Sequence, residues 1–142
     1  MKRLLMWLVL FFGLTPVIGC GALDGGPELG FDYLESSHGT VVTPSIDVAS
    51  LAANVIVFVG QLNTPKPCYR LIADLDVDGS QVTLTVQARE NQVPTCEAIL
   101  GRFIYEGDVR RLKPGTYQVK IIHRFDKADW PAQEFTASVN VR

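Results

Sequence analysis

The strongest constraint on the fold is a period-two alternation of apolar residues that begins near residue 39 and continues to residue 141. In the clearest run, residues 82–88, valine, leucine, valine and alanine alternate with threonine, threonine and glutamine. Similar runs lie at residues 40–48, 69–77, 96–105, 117–125 and 135–141. A strand with this pattern buries one face and exposes the other. The sequence therefore predicts an all-β fold.

Residues 55–59 depart from this alternation because every one of them is apolar. A strand that is apolar on both faces is typical of a central position. Turn signals separate the runs, at Asp78-Gly79, residues 91–94, Pro114-Gly115 and residues 126–131. Sustained helical spacing is absent, and residues 98–104 are only a weak helical candidate. About seven short strands predict one antiparallel immunoglobulin-like β-sandwich over residues 39–142.

The N-terminal segment has the organisation of an export signal. A cationic start at residues 2–3 precedes an apolar run at residues 4–14, which is shorter than the roughly 20 residues of a membrane-spanning helix. The run is followed by Val17, Ile18, Gly19 and Cys20. These four residues resemble the lipobox of bacterial lipoproteins. Plain secretion and an uncleaved anchor are the alternatives.

The lipobox resemblance implies that residues 1–19 are a cleaved signal peptide. Cys20 then becomes the first mature residue and carries diacylglycerol on its sulfur and an acyl chain such as palmitate on its amine. In this family an aspartate directly after the lipidated cysteine favours retention in the inner membrane, and other residues favour the outer membrane. Here that residue is Gly21. The resemblance therefore implies an envelope lipoprotein of the outer membrane that faces the periplasm.

Residues 20–38 are predicted to be a lipidated tether. Glycines and a proline in the first part disfavour regular structure. Phe31, Tyr33 and Leu34 are unusual for a solvated linker, so they dock onto the domain or form a short helical turn.

The two other cysteines, Cys68 and Cys96, are predicted to form a disulfide because the protein is expected to be exported. A zinc site is a poor alternative, since no third cysteine or histidine lies near them in sequence. In a flat meander their strands would lie about 9.6 Å apart, beyond the usual disulfide Cα separation. Either the chain changes sheets between them or one cysteine lies in a loop.

A further resemblance concerns residues 112–119, which read Leu-Lys-Pro-Gly-Thr-Tyr-Gln-Val. They are similar to the L-x-P-G-x-Y-x-V run of transthyretin-like and fibronectin type III-like sandwiches. The similarity implies a tight turn that leads into a strand, with the side chain of Tyr117 at a sheet corner. Leu112 and Tyr117 are expected to cover one end of the core.

Asp74, Asp76 and Asp78 match the first half of a calcium-binding loop. The twelfth position of an EF-hand loop is occupied by Thr85, and the flanking segments read as strands. Alternate residues of a strand lie roughly 6.6 Å apart, too far to converge on one ion unless the chain curls. A solvated acidic face is the favoured interpretation, and a Ca²⁺ site is the alternative.

Catalytic motifs are not apparent in the sequence. His123 alternates with core residues, which favours a partly buried structural histidine over a general base. Nucleophile elbows and phosphate-binding loops are absent. We therefore expect a protein that is not an enzyme, with a small envelope hydrolase as the less favoured alternative.

Three further candidates for binding remain. Arg110 and Arg111 could contact lipid headgroups or an acidic partner, although a solvated loop is the simpler interpretation. Trp130 lies in the last predicted turn, where it could anchor a partner or close the end of the sandwich. We favour closure.

The formal net charge of −2 argues against a nucleic-acid partner. The sequence as a whole predicts a non-enzymatic binding or accessory module. We expect it to be attached to the membrane through Cys20 and to bind an envelope protein or glycan.

Overall fold

The computed structural model describes residues 25–142, without the side chains of residues 36–38. The predicted signal peptide, the lipobox and Cys20 lie outside the described residues. Within residues 25–142 the chain forms eight strands and no helix. The strands are β1 (Glu28–His38), β2 (Ser45–Ala52), β3 (Val55–Thr64), β4 (Tyr69–Asp78), β5 (Gln81–Glu90), β6 (Gly101–Arg110), β7 (Gly115–Phe125) and β8 (Gln133–Val141).

The strands form two four-stranded sheets that pack as a β-sandwich, which confirms the predicted fold class. The first sheet has the order β1-β6-β3-β2, and the second has the order β4-β5-β7-β8. Neighbouring strands are antiparallel except β5 and β7, which are parallel. The parallel pair arises because the chain leaves the second sheet after β5, forms β6 in the first sheet, and then returns as β7. The second sheet is therefore mixed, whereas the first sheet is purely antiparallel as predicted.

The predicted boundary of the domain at residue 39 is wrong, because the sandwich begins at Glu28. Residues 28–38, expected to belong to the tether, form an edge strand that pairs with β6. Leu29, Phe31 and Tyr33 alternate along β1, and all three pack against the buried core. Burial of these three side chains and the hydrogen bonds to β6 outweigh the low strand propensity of nearby glycine.

Two strands begin later than the sequence predicted. The run at residues 40–48 becomes β2 at Ser45, directly after Pro44, which has no amide hydrogen to donate to a ladder. The run at residues 96–105 becomes β6 at Gly101, because Cys96 belongs to the preceding loop. Residues 98–104 form no helix. The strand at residues 55–59 is central as predicted, since β3 lies between β6 and β2.

The core lies between the sheets and contains two cross-strand pairs of an aromatic residue with glycine. Tyr105 lies opposite Gly60, and Phe58 lies opposite Gly107. In each pair the ring occupies the space that a Cβ atom on the glycine would need. The close approach of ring and backbone therefore requires glycine at both positions. The alternating residues of β5 that we predicted to be buried, at positions 82, 84, 86 and 88, are in this core.

The Leu112 to Tyr117 segment has the predicted corner geometry. Both side chains are buried, and the Tyr117 hydroxyl donates a hydrogen bond to the Lys113 carbonyl oxygen at 3.0 Å. A tyrosine that hydrogen bonds to the backbone a few residues upstream is a known corner device of β-sandwiches. This bond fixes the connection from β6 in the first sheet to β7 in the second.

Cys68 and Cys96 form the predicted disulfide, with their Cα atoms 5.9 Å apart. Cys68 directly precedes β4, and Cys96 lies in the loop between β5 and β6. The geometric expectation is therefore met, because both cysteines lie in loops and the chain changes sheets in the loop that contains Cys96. The bond ties the start of β4 to the longest loop among the described residues, residues 91–100.

Removal of the disulfide is expected to cost about 3.5 kcal/mol of unfolding free energy, because the bond closes a loop of about 29 residues in the unfolded chain. Chemical denaturation of Cys68→Ser/Cys96→Ser under oxidising conditions measures this loss. Reductant should destabilise the wild-type protein by a similar amount and leave the double variant unchanged. Equal stability of the double variant and the oxidised wild type would contradict the prediction.

Candidate functional site

The strand directions define two opposite ends of the sandwich. The first end contains the start of β1, the β2–β3 and β4–β5 turns and the β6–β7 loop, and is called here the N-terminal end. The second end contains loops at residues 39–44, 65–68, 91–100 and 126–132, and is called here the loop end. Strands of about ten residues separate the two ends by about 30 Å.

At the N-terminal end, both candidate arginines are engaged with carboxylates. Arg111 forms an ion pair with Glu28 at 3.0 Å, and Arg110 forms a hydrogen-bonded ion pair with Asp108. These pairs reduce the local positive charge that either side chain can offer to a headgroup or an acidic partner. Lys113 makes none of the ion pairs found in residues 25–142.

At the loop end, Trp130 packs on the sandwich and stays partly exposed. Its ring packs edge-on against Phe125, with centroids 5.3 Å apart, and so covers part of the end of the sandwich. The side chain is nevertheless 36% exposed. Further exposed apolar residues occur in other loops of this end: Val41, Val93 and Ile99. The loop end therefore exposes apolar side chains in three of its loops.

The structure does not assemble the calcium site considered from the sequence. Asp74, Asp76 and Asp78 alternate on the exposed face of β4, which stays extended and paired with β5 as far as Asp78. In the part of the chain that the structure describes, no three acidic, histidine or cysteine side chains form a metal-binding group. The chain does not curl at these residues, so their carboxylates stay separated along the strand.

His123 is fully buried between the two sheets. Its Nδ1 lies 3.2 Å from Gln133 Oε1, and its Nε2 lies 2.7 Å from the Tyr105 hydroxyl. Because the amide oxygen can only accept, Nδ1 carries the proton and Nε2 accepts a hydrogen bond from Tyr105. Burial lowers the pKa of His123, an effect that the Gln133 hydrogen bond partly opposes. This geometry matches the expected structural histidine, and burial is complete rather than partial.

The outer face of the first sheet carries an exposed apolar surface that our sequence analysis did not predict. Val59 is 45% exposed in the central strand β3, and Leu51 is 80% exposed beside it, at the irregular end of β2. Leu34 on β1 and Ile104 on β6 lie directly opposite each other in neighbouring strands, and both residues are exposed. Together with Val57, these side chains run across the sheet from β1 to β2 and are called here the apolar stripe.

Two shallow depressions give the apolar stripe its shape. One, of about 450 Å³, is lined by Leu51, Val57 and Val59 together with Glu106 and Asp108. The other, of about 350 Å³, lies on the opposite side of the two valines and includes Asp47 in its lining. The valines therefore form a low ridge between two hollows, each bordered by carboxylate.

The apolar run at residues 55–59 contained a signal for this surface. We took it as the mark of a central strand, which is correct, but its outer residues also imply contact with something apolar. Within residues 25–142, the second sheet covers only the inner face of β3. The pattern of a strand buried on both faces thus occurs on a strand with one open face.

No protein-family model, no curated protein and no solved structure matches the chain. Among residues 25–142, no helix is long and apolar enough to cross a membrane.

Proposed function

We propose that this protein is a lipid-anchored module of the bacterial cell envelope that binds an envelope protein or glycan without catalysing a reaction. The observation that carries the proposal is the placement of the start of β1 and the exposed loops at opposite ends of the sandwich. A chain anchored at Cys20 would thus hold its N-terminal end near the lipid and present its loop end to the surroundings.

The early start of β1 makes the anchor short. Residues 21–27 separate Cys20 from Glu28, and this segment spans at most about 28 Å when fully extended. The N-terminal end would therefore stay close to the membrane. Arg110 and Arg111 at that end are paired with carboxylates, so the lipid on Cys20, rather than these two charges, would hold the protein.

The loop end has features of a binding surface on a rigid scaffold. Loops carry recognition residues in many sandwiches because the sheets fix their positions. Here the disulfide restrains the loop at residues 91–100, and Trp130 keeps an exposed part of its ring while Phe125 supports it. A supported aromatic ring loses little conformational freedom on binding, which is why tryptophan is frequent at interaction hot spots. The supported ring of Trp130 is the best candidate for the centre of the contact.

Trp130→Ala is expected to reduce partner recovery at least about thirtyfold, the effect of losing a hot spot worth about 2 kcal/mol. A photoreactive residue at Asp129, which neighbours Trp130 and is exposed, would capture the partner in intact cells. Thr136→Ala, on the exposed face of β8, is the matched control and should leave recovery unchanged. Thermal melting checks that Trp130→Ala remains folded. Unchanged recovery with folded protein would refute the role of the loop end.

A further inference from the structure

The outer face of the first sheet carries a second inference that goes beyond the proposed function, because it concerns a surface away from both ends. Monomeric proteins seldom expose neighbouring large apolar side chains without a use for them. Leu34, Leu51, Val59 and Ile104 are four such side chains on this one face. The apolar run at residues 55–59 has the composition of a strand covered on both sides, and no described residue covers its outer side.

The strand register places acidic residues on both sides of the apolar ridge. Val59 has two Cα partners, Asp47 on β2 and Glu106 on β6. Glu106 in turn lies opposite Asp32 on β1. Directly opposed side chains on one face of a sheet lie about 5 Å apart, so this row sets exposed carboxylates on both sides of an exposed valine. Asp32, Asp47 and Glu106 take part in none of the ion pairs within residues 25–142.

We propose that the apolar stripe and its acidic border bind a protein segment that presents apolar side chains flanked by lysine or arginine. The two depressions beside Val57 and Val59 accept the apolar side chains, and Asp47 and Glu106 attract the cations on either side. The unpaired carboxylates lie close to one another across the sheet, and a cationic partner relieves their mutual repulsion.

The same charges disfavour two other occupants. A second copy bound through the same face would bring carboxylates against carboxylates, because a two-fold interface joins identical patches. An anionic lipid surface would be repelled for the same reason. A protein segment that is both cationic and apolar complements the acidic border as well as the apolar stripe.

A direct test uses two synthetic peptides, one of alternating leucine and lysine and one of alternating leucine and glutamate. Binding to the detergent-extracted full chain is measured by fluorescence anisotropy. The lysine peptide should bind and the glutamate peptide should not. Affinity for the lysine peptide should fall between about 50 mM and about 200 mM salt, because exposed charges are screened over this range.

Charge-neutral variants locate the binding. Asp47→Asn/Glu106→Gln should weaken binding of the lysine peptide at least tenfold. The matched control Asp74→Asn/Asp76→Asn removes the same charge from the outer face of the second sheet and should change the affinity less than twofold. Val59→Ser should weaken binding without changing its salt dependence. Equal effects of the two double variants would overturn the proposal, since nonspecific attraction to a net negative protein would then explain the binding.

A photoreactive residue at position 59 tests the native occupant in intact cells. The expected product is a crosslink to a different protein at a segment rich in apolar residues and in lysine or arginine, reduced by Asp47→Asn/Glu106→Gln but not by Asp74→Asn/Asp76→Asn. A crosslink to a second copy, or to lipid alone, would overturn the proposal. Trp130→Ala should leave this crosslink unchanged, so that failure here and failure of the loop-end function can be distinguished.

Discussion

Cys20→Ser is expected to release the protein from the membrane completely and to abolish its labelling with palmitate. The expectation follows from the lipobox resemblance of residues 17–20, since a serine offers no thiol for the diacylglycerol. Each buried methylene of an acyl chain contributes about 0.8 kcal/mol, so several chains together hold a protein on a bilayer almost irreversibly. Cell fractionation and incorporation of an alkyne-tagged palmitate measure the two effects.

The matched control uses the other two cysteines. Cys68→Ser/Cys96→Ser should lose the disulfide but keep both the lipid label and the membrane attachment, because those cysteines are bonded to each other within the sandwich. Persistent labelling of Cys20→Ser would show that the lipidated residue lies elsewhere. Loss of label from the Cys68→Ser/Cys96→Ser variant would contradict the division of roles among the three cysteines.

Local patterns were sufficient to predict most of the sandwich. The alternation in residues 82–88 corresponds to the inner face of β5, and the Pro114-Gly115 signal leads directly into β7. Both signals act within a few residues, where backbone preference and side-chain burial favour the same conformation. The disulfide was also predictable, because only two cysteines remained once Cys20 was assigned to lipid.

Long-range pairing was not predictable in the same way. β1 is a strand because β6, far along the chain, offers an edge and a core for Leu29 and Phe31. The glycines around it argued locally for a tether. The parallel contact of β5 with β7 likewise depends on where β6 is placed, which no local signal specifies. Such features follow from competition among distant segments.

The two candidate binding surfaces also differ in whether local sequence signals predict them. Trp130 could be singled out because a large aromatic residue in a turn is unusual in itself. Val59 could not, because a valine within an apolar run is expected to be buried. Its exposure depends on the first sheet having no described layer outside it. Sequence alone therefore suggested the loop end and missed the sheet face.

His123→Ala is expected to cost about 4 kcal/mol of unfolding free energy at neutral pH. The substitution leaves a cavity between the sheets and removes the hydrogen-bond partner of both Tyr105 and Gln133. A large-to-small substitution in a core costs about 2–5 kcal/mol, and a buried polar group left without a partner costs about 1–3 kcal/mol. Chemical denaturation measures the loss. Thr136→Ala, on the exposed face of β8, is the control and should cost less than about 1 kcal/mol.

The wild-type protein should also lose stability as the pH falls below about 6.5, the ordinary pKa of histidine in the unfolded chain. Burial lowers the pKa of His123 in the folded state, so the unfolded state binds more protons between the two values. The contribution of neutral His123 is therefore complete above pH 6.5 and is lost as the pH falls toward the folded-state pKa, at no more than about 1.4 kcal/mol per pH unit. Melting temperatures of wild type, His123→Gln and His38→Gln at pH 7.5 and 5.5 isolate this effect. The decrease should persist in His38→Gln and shrink in His123→Gln, and an equal decrease in all three proteins would assign the pH dependence to other groups.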